Sequence, residues 1–325
     1  MKIYLLILIS CSVIFTSCTQ NSIDKPLNEV EDLSSSLKRC YSYEVLQEQL
    51  KQDPSLALRM QQIEDFTERY TKDKTPSLLR LIGDTVEIPV IVNVLYKTAA
   101  QNISTAQIQS QIDVLNKDFQ ASNTDYNLTP SVFQSLRAGN TKIRFVLDGV
   151  IRKSTNKTSW SADNSMKSTA KGGINPSSAT TKLNIWVCNL GGGILGYAQF
   201  PGGSSSTDGV VIDDNAFGTI GTVQAPYNKG RTATHELGHW MNLRHIWGDA
   251  TCGSDLVSDT PNHNTANYGC PTYPHYSTCT GKPVEMTMNY MDYTDDACMY
   301  MFTSGQKTRM RAIFAAGGPR YSFGQ

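Results

Sequence analysis

His235-Glu-Leu-Gly-His239-Trp-Met-Asn-Leu-Arg-His245 places three imidazoles and a carboxylate in one short stretch of a chain that has only five histidines. At ~100° per residue, His235 and His239 differ by about 40° around a helix axis, so both rings leave the same face and can reach one ion. Glu236 follows the first of them directly. A carboxylate there stands beside a metal without filling its coordination shell, free to take a proton from water. His245 is rotated away from the other two on any straight helix, so the chain has to turn between them. Asn242 occupies the turning position, and Asn is among the few non-glycine residues that enter left-handed backbone space readily. Incidental surface histidines on an amphipathic helix would explain the first pair but not the third member. The stretch predicts a catalytic zinc centre with His235, His239 and His245 as ligands and Glu236 as general base.

Working outward, the zinc helix is expected to open near Thr232, after a run of strands. Val86 to Tyr96 is apolar almost throughout, as in a strand buried on both faces, with one ladder bond lost at Pro89. Ser104 with Gln107 reads as a capping box, and Ile108, Ile112, Leu115 and Phe119 form a core stripe behind it. Further strands are expected at Ile143 to Leu147, Leu183 to Cys188, Ile194 to Phe200 and Gly209 to Ile212. Residues 154–181 are rich in Ser, Thr, Lys and Asn and read as a surface loop. From Gly248 to Met288 the chain is irregular and polar. The order predicts a mixed α/β fold in which a twisted, mainly parallel sheet is backed by helices.

The N-terminus carries an export signal: Met1-Lys2, an apolar run to Phe15, then Thr16-Ser17-Cys18. The small residues before Cys18 match a bacterial lipoprotein processing site, which makes Cys18 a candidate lipid anchor; a plain secretory cleavage nearby is the other reading. Residues 19–80 are polar, with helical patterns from Tyr43 to Leu50 and from Leu56 to Tyr70, and end in a linker. The expected organisation is a signal at 1–18, a pro-segment at 19–80 and a catalytic domain at 81–325. With 29 basic and 29 acidic residues there is no electrostatic pull towards nucleic acid. Of the eight cysteines, four follow the zinc motif, at 252, 270, 279 and 298, as expected of two disulfides in an oxidising compartment; three pairings are open. Cys188 reads as a small core hydrophobe. Cys40 is left over.

These residues resemble the metzincin metallopeptidases, and among them the pappalysin family, especially its bacterial ulilysin- and cytophagalysin-like members. The likeness rests on Leu183 to Leu190, Gly196 to Gly202, the zinc motif and Met288 to Phe302. It implies a metzincin-like catalytic domain with a disulfide-stapled C-terminal subdomain, in which Met291 forms the turn beneath the metal and the Tyr293 hydroxyl serves the oxyanion. It also implies the pairs Cys252–Cys279 and Cys270–Cys298, and calcium near the cleft with Asp255, Asp259 and the Thr260 carbonyl as ligands. Cys40 would be a fourth zinc ligand that keeps the precursor latent, with Arg39 beside it favouring the thiolate. Asp296 would close the pocket for the residue after the scissile bond and select Arg or Lys there. The Leu79–Arg80 bond is then a candidate self-activation site.

The expected function is therefore that of a zinc-dependent endopeptidase, secreted or anchored at the cell envelope. It would act as a monomer on protein or peptide substrates, which lie extended along Ile194 to Phe200. Two other readings share parts of the pattern. One is a surface binding protein whose zinc site is vestigial or structural, but structural zinc usually fills all four positions with protein ligands, unlike three His with a free Glu. The other is a zinc amidase for small molecules, against which the long pro-segment and the peptide-like edge strand favour a protease.

Overall fold

Val86–Tyr96 (β1) is buried along most of its length and lies inside the sheet with a partner on each side, in a computed structural model that describes residues 39–72 and 85–324. The leader with Cys18, and the linker stretch with the Leu79–Arg80 bond, lie outside the described residues. On one side β1 pairs in parallel with β2 (Ile143–Ser154), and on the other with β3 (Leu183–Cys188). The β1–β2 register slips by a residue between Val90 and Ile91, just beyond Pro89. β3 pairs in parallel with β5 (Val210–Asp213), and β4 (Gly196–Ala198) closes the edge antiparallel to β5. The strand order is thus β2-β1-β3-β5-β4, mainly parallel. The edge strand is shorter than the apolar run from Ile194 to Phe200 suggests, because only three residues find partners on β5.

Helix α3 (Thr105–Phe119) packs on one face of the sheet through Ile108, Ile112, Leu115 and Phe119, all essentially buried. At ~1.5–3 kcal/mol for each large apolar side chain, this stripe outweighs the cap. The cap is half of the expected box: Ser104 Oγ accepts from the Gln107 N–H, but the Gln107 side chain donates to the Phe217 carbonyl and the Thr222 hydroxyl instead. Gln111 similarly bridges Gly230 O and Gly218 N–H. Two buried amides of α3 thereby fix the loop that delivers the chain into α4 (Arg231–Trp240), the helix with the first two histidines.

Residues 154–181 depart from the expectation of a surface loop. Trp160, Met166 and Ile174 are buried with Trp186, Tyr197 and Val211 in a second core on the other face of the sheet. Lys167 is buried too, donating to the Thr207 carbonyl. Beyond α4 the chain forms no helix or strand until α5 (Ser304–Ala312). The intervening stretch is tied by disulfides Cys252–Cys279 and Cys270–Cys298. At the N-terminal end, α1 (Ser42–Gln52) and α2 (Ser55–Lys72) lie against the rest: Leu46 and Leu56 pack on Phe200, and Tyr70 packs on Ala312 and Ala315.

Candidate active site

All three histidines of the motif are buried, and each has its Nδ1 turned to an acceptor. His235 Nδ1 faces the Tyr290 carbonyl at 2.7 Å, His239 Nδ1 the Leu243 carbonyl at 2.8 Å, and His245 Nδ1 the Asp249 carboxylate. A carbonyl can only accept, so the proton sits on Nδ1 and Nε2 is left with a bare lone pair. The Nε2 atoms converge, His239 lying 3.1 Å from His235 and 3.0 Å from His245. Lone pairs at that spacing repel unless a cation lies among them. A tetrahedral zinc with bonds of ~2.0–2.1 Å spaces its ligands about 3.3 Å apart, so the donor set fits that ion. Burial holds His235 well below its ordinary pKa and His239 at about 3, which keeps these two imidazoles in the neutral, ligating form.

The turn is made at Asn242, whose φ of 70° is left-handed. It ends α4 and lets His245 come back towards the two helical rings. Beneath them lies Met291, fully buried. Its sulfur approaches Gly238 so closely that a Cβ there would sit 2.3 Å away, which explains why the helix carries Gly between its two histidines.

Cys40 brings a fourth donor: its sulfur and the histidine nitrogens all lie within 4.8 Å of one another, the one such cluster among the described residues. Glu236 is buried beside them. Its Oε2 accepts from the Ser42 hydroxyl at 2.7 Å and the Cys40 thiol at 3.3 Å, while Oε1 has no partner. Burial pushes this carboxyl up to about 8, against the two donors. It also raises the Cys40 thiol, with the Glu236 charge adding to the effect. The Tyr293 ring packs on His235 and His245, and its hydroxyl donates to the Cys40 carbonyl at 3.4 Å. Residues 40–42 follow the edge strand, with Tyr41 N–H donating to Gly196 O at 3.0 Å and Ala198 N–H to Ser42 Oγ at 2.7 Å.

Arg39 does not serve the thiol, contrary to the sequence expectation. Its guanidinium donates to Asp296 at 3.1 Å and lies over the Tyr227 ring. The other oxygen of Asp296 takes the N–H groups of Lys229 and Arg231, where α4 begins. Asp296 is thus pinned by backbone donors near a helix N-terminus and keeps one oxygen for a cation.

Asp292, between Met291 and Tyr293, organises the downstream side of the site. Oδ1 accepts from the N–H groups of Asn267 and Tyr293, and Oδ2 from the Asn267 amide, all at 2.8–2.9 Å. His263 Nδ1 is 3.4 Å from Oδ2, and its Nε2 accepts from Met286 N–H. The Asp255 carboxylate takes the Thr260 hydroxyl and the Val257 N–H, whereas Asp259 takes the Thr303 hydroxyl and the Gly305 N–H at the start of α5. The two carboxylates are therefore engaged with different partners. Cys188 is buried in β3 without a disulfide. Sequence reasoning missed Ser42, Asp249, Gly238 and Asp292. Only Asp249 left a signal, four residues past His245.

Residues 180–315 match the peptidase family model described as pregnancy-associated plasma protein-A. An extracellular metalloprotease of Verticillium alfalfae is 35% identical over 241 residues, or 70% of this chain and 78% of the relative. Its counterpart in Pyricularia oryzae is 35% identical over 227 residues, 67% and 70% of the two chains. Among solved structures, mature mirolysin of Tannerella forsythia with a cleaved peptide superposes with a TM-score of 0.72 at 48% identity, covering 74% of this chain and 96% of its own. A promirolysin mutant of the same organism gives a TM-score of 0.78 at 42% identity, over 88% and 97%.

Proposed function

We infer the function from one premise: the chain belongs to the pappalysin family of metallopeptidases and is an extracellular zinc metalloprotease. The finer reading is an endopeptidase made as a latent precursor, with residues 19–80 as the pro-segment and 81–325 as the catalytic domain. One observation carries it. Arg39 rests on Asp296 while Cys40 points among the three histidine nitrogens and residues 41–42 bond to β4, so this segment fills the positions a substrate would need. The likeness to a promirolysin, over more of the chain than to mature mirolysin, supports the same reading.

His235, His239 and His245 would hold zinc, with Cys40 as fourth ligand in the precursor. Zinc in such a site supplies Lewis acidity towards a carbonyl and lowers the pKa of water towards ~7. The remaining steps fall to this chain's own groups. Once residues 40–42 leave, the Glu236 carboxylate loses both its donors and takes a proton from water, then delivers it to the leaving amine. The Tyr293 hydroxyl, released from the Cys40 carbonyl, donates to the oxyanion of the tetrahedral intermediate. Gly196 and Ala198 pair with the substrate main chain. Asp296, held by two backbone amides, selects Arg or Lys after the scissile bond, Arg above all through paired hydrogen bonds. Cys18 is the proposed lipid anchor, the Leu79–Arg80 bond the proposed activation site, and Asp255, Asp259 and Thr260 a proposed calcium locus.

The test uses zinc-loaded full-length protein and a peptide library. Wild type should be cut between about residues 68 and 90 and then cleave before Arg and Lys. Glu236→Ala should keep zinc, stay unprocessed and lose about 10²–10⁴-fold in activity. Proteolysis unchanged by that substitution would remove Glu236 from its role, and cleavage indifferent to basic residues would remove Asp296 from its own.

A further inference from the structure

Glu64 of α2 sits between two guanidinium groups of the catalytic half. Arg309 Nη2 donates to both of its oxygens, at 2.5 and 2.6 Å, and Arg244 Nη2 lies 3.8 Å from Oε1. Arg309 is fixed from behind, because its Nε donates at 2.7 Å to the carbonyl of Asn242, the residue at which the chain turns between the second and third histidines. Arg244 directly precedes His245, and its Nε is buried with no hydrogen-bond partner. The neighbouring acids of the catalytic half feel the arginines' charge, Asp249 that of Arg244 and Asp255 that of Arg309, but they accept their hydrogen bonds from other groups: Asp249 from His245, and Asp255 from Thr260 and Val257. The other acids facing this cavity, Asp65 and Glu68, belong to α2, while Leu256 and Val257 give it an apolar wall.

Departure of α2 would take away the one carboxylate that is hydrogen-bonded to Arg309 and leave two like charges side by side, with the Arg244 Nε–H still lacking an acceptor, an arrangement that favours an incoming anion. We propose that Arg244 and Arg309 form a carboxylate-binding subsite of the mature enzyme, which takes an acidic side chain of the substrate where the precursor places Glu64. This rests on the reading of residues 19–80 as a removable segment. The enzyme would then read two charges of opposite sign, a base against Asp296 and an acid against the arginine pair, at a fixed separation along the substrate.

The experiment starts from full-length protein whose N-terminal segment is removed by its own action or by trypsin, with the new N-terminus sequenced. Peptides carrying Arg after the scissile bond are compared in pairs, with Glu or Gln moved through about six positions on either side. The expected result is one position at which Glu raises kcat/KM about tenfold over Gln, mainly through KM, with a ratio that collapses towards one in Arg244→Gln. A second readout in the precursor is the rate of activation, which Glu64→Gln should raise. Activity that appears on processing with a Glu/Gln ratio near one at every position overturns the subsite alone. No gain of activity on removal of the segment overturns the latency reading, and the subsite with it.

Discussion

Upstream of Trp240, the residues that set the histidines in place are held by a parallel sheet and a packed helix. From Met241 to Thr303 the same task falls to side chains bonded to backbone, and to two disulfides. The first region draws its order from repetition: β1, β2 and β3 share long ladders, and α3 buries a continuous stripe. The second draws it from single contacts such as Tyr290 O on His235, Leu243 O on His239 and Asp249 on His245. Equal burial of the metal-binding groups is therefore reached in two ways, and the two should fail differently.

The largest expected effect tests that difference directly. Removing one staple, with Cys252→Ser and Cys279→Ser together, should cost about 2–5 kcal/mol. Amide exchange should rise first between residues 241 and 303 while β1 and β3 stay protected. If the sheet loses protection at the same denaturant concentration, the two regions are one cooperative unit and the contrast fails.

Acid and base should separate them next. Burial pushes Asp213, at the end of β5, up to about 7, so the folded state binds a proton that the unfolded chain gives up near 3.8. Its stabilising contribution is present below that value and is lost as pH rises towards 7. Burial also pushes Glu285 upward, but Asn267, the Asn264 N–H, His263 and His275 outweigh it and hold the carboxyl below its usual 4.5. Stability from Glu285 is present above that value and is lost as pH falls below it, through the lower pKa of the folded state. Urea midpoints across pH 3–8 should show opposite slopes removed by Asp213→Asn and Glu285→Gln. Slopes of the same sign would show that one region governs both.

The smallest effect is expected at the joint. Gly238→Ala gains about 1 kcal/mol of helix propensity but drives a methyl group into Met291, an overpacking cost of about 1–3 kcal/mol. A modest net loss should follow, relieved when Met291→Ala is added. A single variant as stable as wild type would mean that the helix and the turn beneath it are less tightly joined than their spacing indicates.

The same contrast decides what could be read in the sequence. Periodic elements announce themselves, so β1, α3, the zinc helix and the succession of elements along the chain were legible, as were His235 and His239, because helical spacing links residues four apart, and His245 beyond the turning residue Asn242. The core contributed by Trp160, Met166 and Ile174 was hidden, since single apolar residues in a polar run follow no period. Arg39 was legible as a cation beside Cys40, but its partner lies 257 residues away, a distance that no local rule spans. Ser42 reads in sequence only as a residue near a helix start, yet its hydroxyl joins Glu236 to the edge strand.

Asp292 shows what it means for a region to be built from single contacts. In mechanical terms it is a keystone: two oxygens take three hydrogen bonds, with His263 standing against them as well. Every one of those neighbours presents a donor. Even Asn, the same size and shape, would turn an NH₂ group towards another donor and leave both without an acceptor in a site closed to water. Strand positions such as Val90 and Ile185 carry their load across many equivalent rungs, and another branched apolar side chain would serve there. Tolerance to substitution around this metal centre is thus uneven by construction, broad on the sheet side and close to nil at residue 292.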